Sequence, residues 1–447
     1  MKNRLNKLSL IILLALLFPV LGLPQERGEI FREAGEYIER IDKTIKVKEG
    51  GELRVISDEG PIYIESWNKK EVRIVVIKRA GVGRESEARK YFDEIKVWID
   101  KSGNDVSVKG ETPWGRRGRR SHRLEYEITV PYKYNVNLRT EGGSLTIDDL
   151  DGNVKGETDG GSIKVGQIKN GNVNISTAGG SIKIKEVKNG NVNAETAGGS
   201  IKVGDVNGNL NVHTSGGSIN LGKITGKGVA KTSGGSITVV EAGEDLELST
   251  SGGSISVNYA NGPIDVETSG GSISIGDTKG DVSASTAGGS IHIGLAGGMV
   301  KAETAGGSIT VEGSEGPVEV ETAGGSIEIL EAHGYIEAET AGGDIDAEMV
   351  VSDKKTDTHV TLETAGGDIT LYLPEDLQAT FNVRLEITRR AWRDYKIYSD
   401  FPISIDDDDD SGWRGRRVLR GEGDINGGGD EIRIETTNGD IRIKKLR

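Results

Sequence analysis

Apolar and polar residues alternate along most of this chain in short, evenly spaced pairs. Around Thr268 the apolar pair Ile264 and Val266 precedes the threonine, and Ile273 and Ile275 follow two glycines. Neighbouring segments repeat the arrangement as Val282, Ala284, Ile291 and Ile293, and as Val318, Val320, Ile327 and Ile329. A spacing of two is that of a β-strand with one buried face. The pairs are locked to a motif, Thr-x-Gly-Gly-Ser/Asp, that begins at Thr140, Thr158, Thr177, Thr196, Thr214, Thr232, Thr250, Thr268, Thr286, Thr304, Thr322, Thr340 and Thr364. The intervals are 18, 19 and 19 residues, then eight of 18, then 24. A degenerate copy, Thr437-Asn438-Gly439-Asp440, closes the series. A glycine also stands two residues before the first apolar pair in ten of the eleven units from Thr158 to Thr340, Glu244 being the exception. Each unit thus predicts two short strands and two glycine-marked corners, with Gly-Gly supplying the positive φ angles of a tight turn.

Self-similarity at so short a period predicts an all-β fold, a single-chain parallel β-solenoid (β-helix) with about 18 residues per coil. Other repeat architectures fit poorly. A left-handed triangular helix needs an apolar residue every six, and the offsets here, −4, −2, +5 and +7 from the threonine, miss that grid. The calcium-binding β-roll lacks its third glycine and aspartate, and propeller blades need about 40 to 50 residues. Membrane barrels need strands of about 9 to 11 residues. An antiparallel meander folded at each Gly-Gly would leave one apolar face uncovered, whereas coiling lets the two strands of a unit cover each other. The threonine shares the parity of the inward residues, so its hydroxyl is expected to bond a corner or its stacked neighbour.

The ends read differently. Residues 1–22 form a secretory signal, with Lys2, Arg4 and Lys7 before an apolar run from Leu8 to Phe18 that is too short to span a membrane. Residues 23–139 form an N-terminal β-rich cap, with strands near Thr44–Val47, Leu53–Ile56, Ile62–Glu65, Val72–Lys78, Ile95–Ile99, Val106–Val108 and Glu125–Val130, and a helix near Ser86–Phe92. Residues 140–372 form the solenoid, and 373–447 an insertion or cap with the closing repeat. Open solenoid ends invite edge-to-edge addition, so irregular caps are expected.

Composition narrows the chemistry. The absence of cysteine excludes disulfides, thiol catalysis and thiolate metal sites. His122, His213, His292, His333 and His359 share no repeat offset with one another, which argues against a catalytic or metal-binding cluster. The net charge of −14 is unevenly spread. Residues 155–203 hold seven Lys and four Asp or Glu, whereas residues 301–348 hold one Lys and twelve Asp or Glu. The outward column six residues after each threonine runs from Lys164, Lys183 and Lys202 to Glu328 and Asp346. Antiparallel side-by-side pairing of rods would match these ends. Glu319, Glu321, Glu337 and Glu339 fall on adjacent coils, where stacked carboxylates repel unless a cation such as calcium bridges them. Trp114 with Arg116, Arg117, Arg119, Arg120 and Arg123, and Trp413 with Arg414, Arg416 and Arg417, are candidates for anionic glycan or lipid head groups. Nucleic acid is a poor partner for an exported, acidic chain.

Glu52–Val55, Gly60–Trp67 and Glu71–Ala80, followed by serial Glu-Thr-Ala/Ser-Gly-Gly-Ser-Ile units, resemble the bacterial exported β-strand-repeat family of unknown function, commonly labelled as adhesin candidates. Ser399-Asp400-Phe401-Pro402 and the closing segment resemble the way such proteins end. The resemblance implies a β-helical fold and a cell-envelope setting, and supplies no catalytic residues and no cofactor. The expected function is a non-enzymatic exported scaffold or adhesin-like module of the bacterial cell envelope. The alternatives are a self-associating rod forming filaments or sheets, and a polysaccharide-active enzyme with its site in a cap.

Overall fold

The computed structural model describes residues 25–113, 122–350, 356–389, 391, 393–410 and 416–446. The predicted signal segment lies outside them. Each repeat folds as a five-residue strand ending on the threonine, such as Ile264–Thr268, a Gly-Gly-Ser corner, and a second strand, such as Ile273–Thr278. Successive repeats pair parallel and in register. Thr250 pairs with Thr268 and Thr268 with Thr286, while Ile255 pairs with Ile273 and Ile273 with Ile291. The chain is therefore a β-solenoid of two facing ladders, here termed the Thr sheet and the Ile sheet. The antiparallel meander is excluded. In the two 19-residue repeats the extra residue sits in the second corner, where Asn170 and Asn189 take left-handed backbone at φ 47° and 58°. Asparagine tolerates that region better than most residues, and the ladder register is undisturbed.

The core is a set of stacked columns. Val or Ile at offsets −4, +5 and +7 and Val or Ala at −2 are buried in almost every coil. A third inward position of the Ile sheet, at +10, is held by Ile168, Val187, Val206, Ile224, Ala242, Ala260 and Ala296. The threonines from Thr140 to Thr364 are buried as well. Each hydroxyl donates to the carbonyl of the second corner glycine one coil earlier, as Thr250 does to Gly235 O at 2.8 Å. The same oxygen accepts the N–H of its own second glycine, Gly253, at 3.4 Å. Every coil thus satisfies the buried polar atoms of the corner beneath it. Outside this ladder runs one of serine, in which Ser254 N donates to Ser236 Oγ at 3.2 Å. The second corner carries another, in which Asn191 N donates to Asn172 Oδ1 at 2.9 Å.

The tandem glycines are required for a different reason from the one the sequence suggests. None of them adopts left-handed backbone. A Cβ on the second glycine would instead lie against the carbonyl oxygen of the same glycine one coil below, 2.2 Å away for Gly253 over Gly235. The first glycine is looser, with the nearest atom 3.3 Å from a Cβ on Gly252. Stacking, not torsion, selects the column. The closing repeat also shifts by one residue: Thr436, not Thr437, pairs with Thr364 and donates to Gly367 O at 2.7 Å.

Both ends depart from sequential winding. At the first end the strands are β1 (Glu29–Glu33), β2 (Glu36–Lys46), β3 (Glu52–Ser57), β4 (Ile62–Trp67), β5 (Glu71–Ala80), β6 (Lys96–Ser102), β7 (Asp105–Glu111), β8 (His122–Pro131) and β9 (Asn135–Thr140), with the helix α1 at Glu85–Glu94. β3 and β4 already form a coil, Ser57 pairing with Thr140 in the threonine column. The coil made by β7 and β8 stacks on its outer side, so β3 and β4 lie between β7–β8 and β9 with the strand that follows it. The antiparallel strands β5, β2 and β1 close the Ile sheet beyond β8, and β6 closes the Thr sheet beyond β7. The far end mirrors this. Asp430–Thr437 and Ile441–Lys445 slot between the Val360–Leu373 coil and the one built from Ala379–Ile387 and Ile397–Ser399. Arg416–Ile425 and Ser404–Asp410 then end the Thr sheet antiparallel. Neither sheet closes on itself.

Charge enters the interior at the caps. Lys78 Nζ is fully buried, donates to Phe92 O at 3.0 Å and Ile95 O at 2.9 Å at the end of α1, and lies 2.7 Å from Glu39 Oε2. Burial pushes its pKa down, against the pull of Glu39. At the other end nearly buried Asp440 meets Arg442 at 2.7 Å and Arg393 at 3.5 Å, and Asp368 meets the same two arginines.

Candidate functional site

With the inward columns consumed by packing and ladder bonds, chemistry is left to the outward ones. On the Ile sheet the +6 column is continuous through the pairings Lys164–Lys183–Lys202–Asn220–Thr238–Ser256 and onward through Ser274–His292–Thr310–Glu328–Asp346. Its charged ends are exposed. Lys164, Lys183, Lys202, Glu328 and Asp346 have no ion-pair partner among the described residues. At the basic end a cavity of about 430 Å³ opens between Tyr63, Lys164, Lys183 and Lys185, with Asp148 and Asp149 at its side.

The middle of the rod is charge-paired from coil to coil, through Lys223–Glu241 at 2.6 Å on the Ile sheet and, on the Thr-sheet side, through Lys227–Asp245 at 2.6 Å and Lys231–Glu247 at 2.5 Å. A cavity of about 570 Å³ lies beside it near Gly228, where the usual branched residue is missing.

The late part of the Thr sheet is acidic. Glu303, Glu321, Glu339, Glu363 and Glu435 stack in one column. Glu319 and Glu337 stack in the next, with Lys301 below and Thr361 above. The four glutamates singled out in the sequence therefore stand together, beside a cavity of about 300 Å³. Two of them are engaged by the protein itself. Tyr335 Oη donates to Glu319 Oε1 at 2.7 Å, and the Tyr335 ring stacks on His359 with centroids 4.5 Å apart. His359 Nε2 is 3.3 Å from Glu337 Oε1, and Nδ1 is 2.8 Å from Asp357 Oδ1. Partial burial of His359 opposes its charge, but the hydrogen bonds to Asp357 and Glu337 outweigh it and hold the imidazolium above its ordinary range. The hydrogen bond to Glu319 raises the Tyr335 phenol to about 12. No three His, Asp or Glu side chains among the described residues converge to hold a metal ion. This cluster was missed in the sequence, although a signal existed: Tyr335 and His359 share offset −5.

Trp114, Arg116, Arg117, Arg119 and Arg120 lie outside the described residues, in the segment joining β7 to β8, and so do Trp413 and Arg414. Arg123 is exposed on β8, opposite Arg79. Arg417 is committed within its cap, bonding Asp407 through Nη2 at 2.7 Å and Asp394 through Nη1 at 2.9 Å. No described helix is long and apolar enough to cross a membrane.

Solved structures similar to this chain include an adhesin candidate from Bacteroides fragilis, at 17% identity over 52% of this chain and 95% of that one, with a TM-score of 0.28. A cell adhesion protein candidate from Clostridium sporogenes aligns at 11% identity over 92% and 100% of the two chains, with a TM-score of 0.17. A lipid binding protein candidate from Parabacteroides distasonis aligns at 14% identity over 67% and 96%, with a TM-score of 0.22. No curated protein matches the chain. The family model described as Toastrack DUF4097 matches residues 61–277 and 244–444, and those two stretches take in the first end from β4 onward, the whole of the solenoid and nearly all of the far end: the chain belongs to the Toastrack family.

Proposed function

We propose that this protein is an exported, non-enzymatic rod of the bacterial cell envelope that acts as a scaffold or adhesin-like module. The observation that carries this reading is the contrast between the two halves of each repeat. Inward residues hardly change over the stack, whereas the outward column alone goes from Lys164 through Ser256 to Asp346. A surface that varies over a constant interior suits contact with an extended partner. The three cavities described above are broad and lie on the outer sheet faces. An anionic envelope glycan or lipid head group is the partner chemistry that the unpaired lysines at the early end suit best. The acidic late column offers Glu321 and Glu339 to a bridging divalent cation, their neighbours Glu319 and Glu337 being engaged internally.

The test is cell fractionation with surface labelling, followed by binding of the purified protein to envelope polysaccharides and to vesicles containing anionic lipid. Envelope location and binding that weakens in K164Q/K183Q support the reading. A cytoplasmic location, or release of product from the polysaccharide, overturns it.

A further inference from the structure

The +6 column of the Ile sheet has a symmetry of its own. Ser256 is its midpoint, with five positions on either side. Reversed end for end about Ser256, the column sets Lys164 against Asp346, Lys183 against Glu328, Lys202 against Thr310, Asn220 against His292 and Thr238 against Ser274. Opposite charges meet at both ends of the column, and small hydroxyl side chains meet at its middle. We propose that two copies of this chain pair antiparallel, Ile sheet against Ile sheet, about a two-fold axis at Ser256.

Three features support a second copy as the occupant. The pattern is self-complementary, as a two-fold interface requires of a single surface. The charged residues at its ends have no ion-pair partner of their own among the described residues, and stacking like charges one strand apart is unfavourable until opposite charge arrives. The size also suffices. Ten coil steps of about 4.8 Å by a strand of about 20 Å give roughly 950 Å² per partner, about 1,900 Å² in all, within the range of specific interfaces. End-to-end growth is opposed by the charged edges Glu29–Glu33, which ends the Ile sheet at the first end, and Ser404–Asp410, which ends the Thr sheet at the far end. The proposal is therefore a closed dimer and not a filament. It does not rest on the envelope reading, since a rod that stays monomeric could still bind a glycan.

Sedimentation of the purified chain tests it. The expected result is a dimer at low salt whose dissociation constant rises by about tenfold or more as the ionic strength reaches molar levels. K164E/K183E and E328K/D346K should each be monomeric, because each sets like charges together. Their equimolar mixture should dimerise, because every charged contact is then attractive again, and this rescue also shows that both variants are folded. The chain has no cysteine, so S256C should give a disulfide-linked dimer while T238C, which faces Ser274, should not. A wild-type chain that is monomeric at every salt concentration overturns the proposal. So do dimers that survive both charge reversals, or cross-linking of T238C as efficient as that of S256C, which would mean parallel pairing.

Discussion

The repeats and the caps solve the same problem by opposite means. In the repeats the buried threonines of the column find their partner one coil away, through identical Thr–Gly bonds flanked by Ser–Ser and Asn–Asn ladders, and no charged side chain is buried among the described residues there. In the caps the translation stops, and single contacts take over: Lys78 with Glu39 and two carbonyls, and Asp440 with two arginines. A stack can distribute its constraints over many equivalent residues. An end has to be keyed by a few.

The comparison can be broken most forcefully at Lys78. K78A strands the Glu39 carboxylate and two α1 carbonyls, and should lower stability by about 3–5 kcal/mol, read as loss of cooperative melting in the first cap. In the repeats, G253A should cost about 3 kcal/mol or more, because its Cβ meets a backbone oxygen that the coil below cannot move. G252A, one residue away, should cost less than about 1 kcal/mol. Denaturant titration of the pair separates stacking from turn torsion: equal losses would mean that the column is selected by backbone angle after all. T250V removes one rung of the hydroxyl ladder and should cost about 1–3 kcal/mol, less than G253A by the same assay.

Smaller effects sharpen the boundary between repeat and far cap, where Tyr335 and His359 stand at the offset that asparagine holds in the early coils. The pKa of His359 is raised, so its contribution to stability is full below the ordinary histidine pKa of about 6.5 and is lost as pH rises through the raised folded value. NMR titration should give a midpoint above 6.5, and E337Q should lower it. The smallest effect expected is from calcium. At millimolar concentration it should raise the melting temperature by about one degree relative to a chelator control, and E321Q/E339Q should abolish that shift.

Much of the fold was written in the spacing of residues. Pairs two apart, locked to an 18-residue threonine, define both ladders and the buried hydroxyl. The +10 column was hidden because a step of three from +7 breaks strand parity and because small residues such as Ala242, Thr278 and Ser314 occupy it. The coils of β3–β4 and β7–β8 were hidden because Ser57 and Gly110 stand where threonine would be, and because stacking does not follow chain order there. The reason for Gly-Gly was misread, since local turn chemistry and contact with the coil below select the same residue. The candidate site was legible as columns of charge; the pairing of Glu319 and Glu337 with Tyr335 and His359 needed side-chain positions.

Interleaving at the far end gives this rod a keystone. Among the described residues, the strands Ala379–Ile387 and Ile397–Ser399 do not pair with the Val360–Leu373 coil directly; Asp430–Lys445, which follows both in the chain, lies between them and pairs with each. Winding that proceeds coil by coil from early residues must therefore halt after Leu373 and wait. A chain that emerges first residue first would keep that gap open until its last strands appeared, and would zip shut only then.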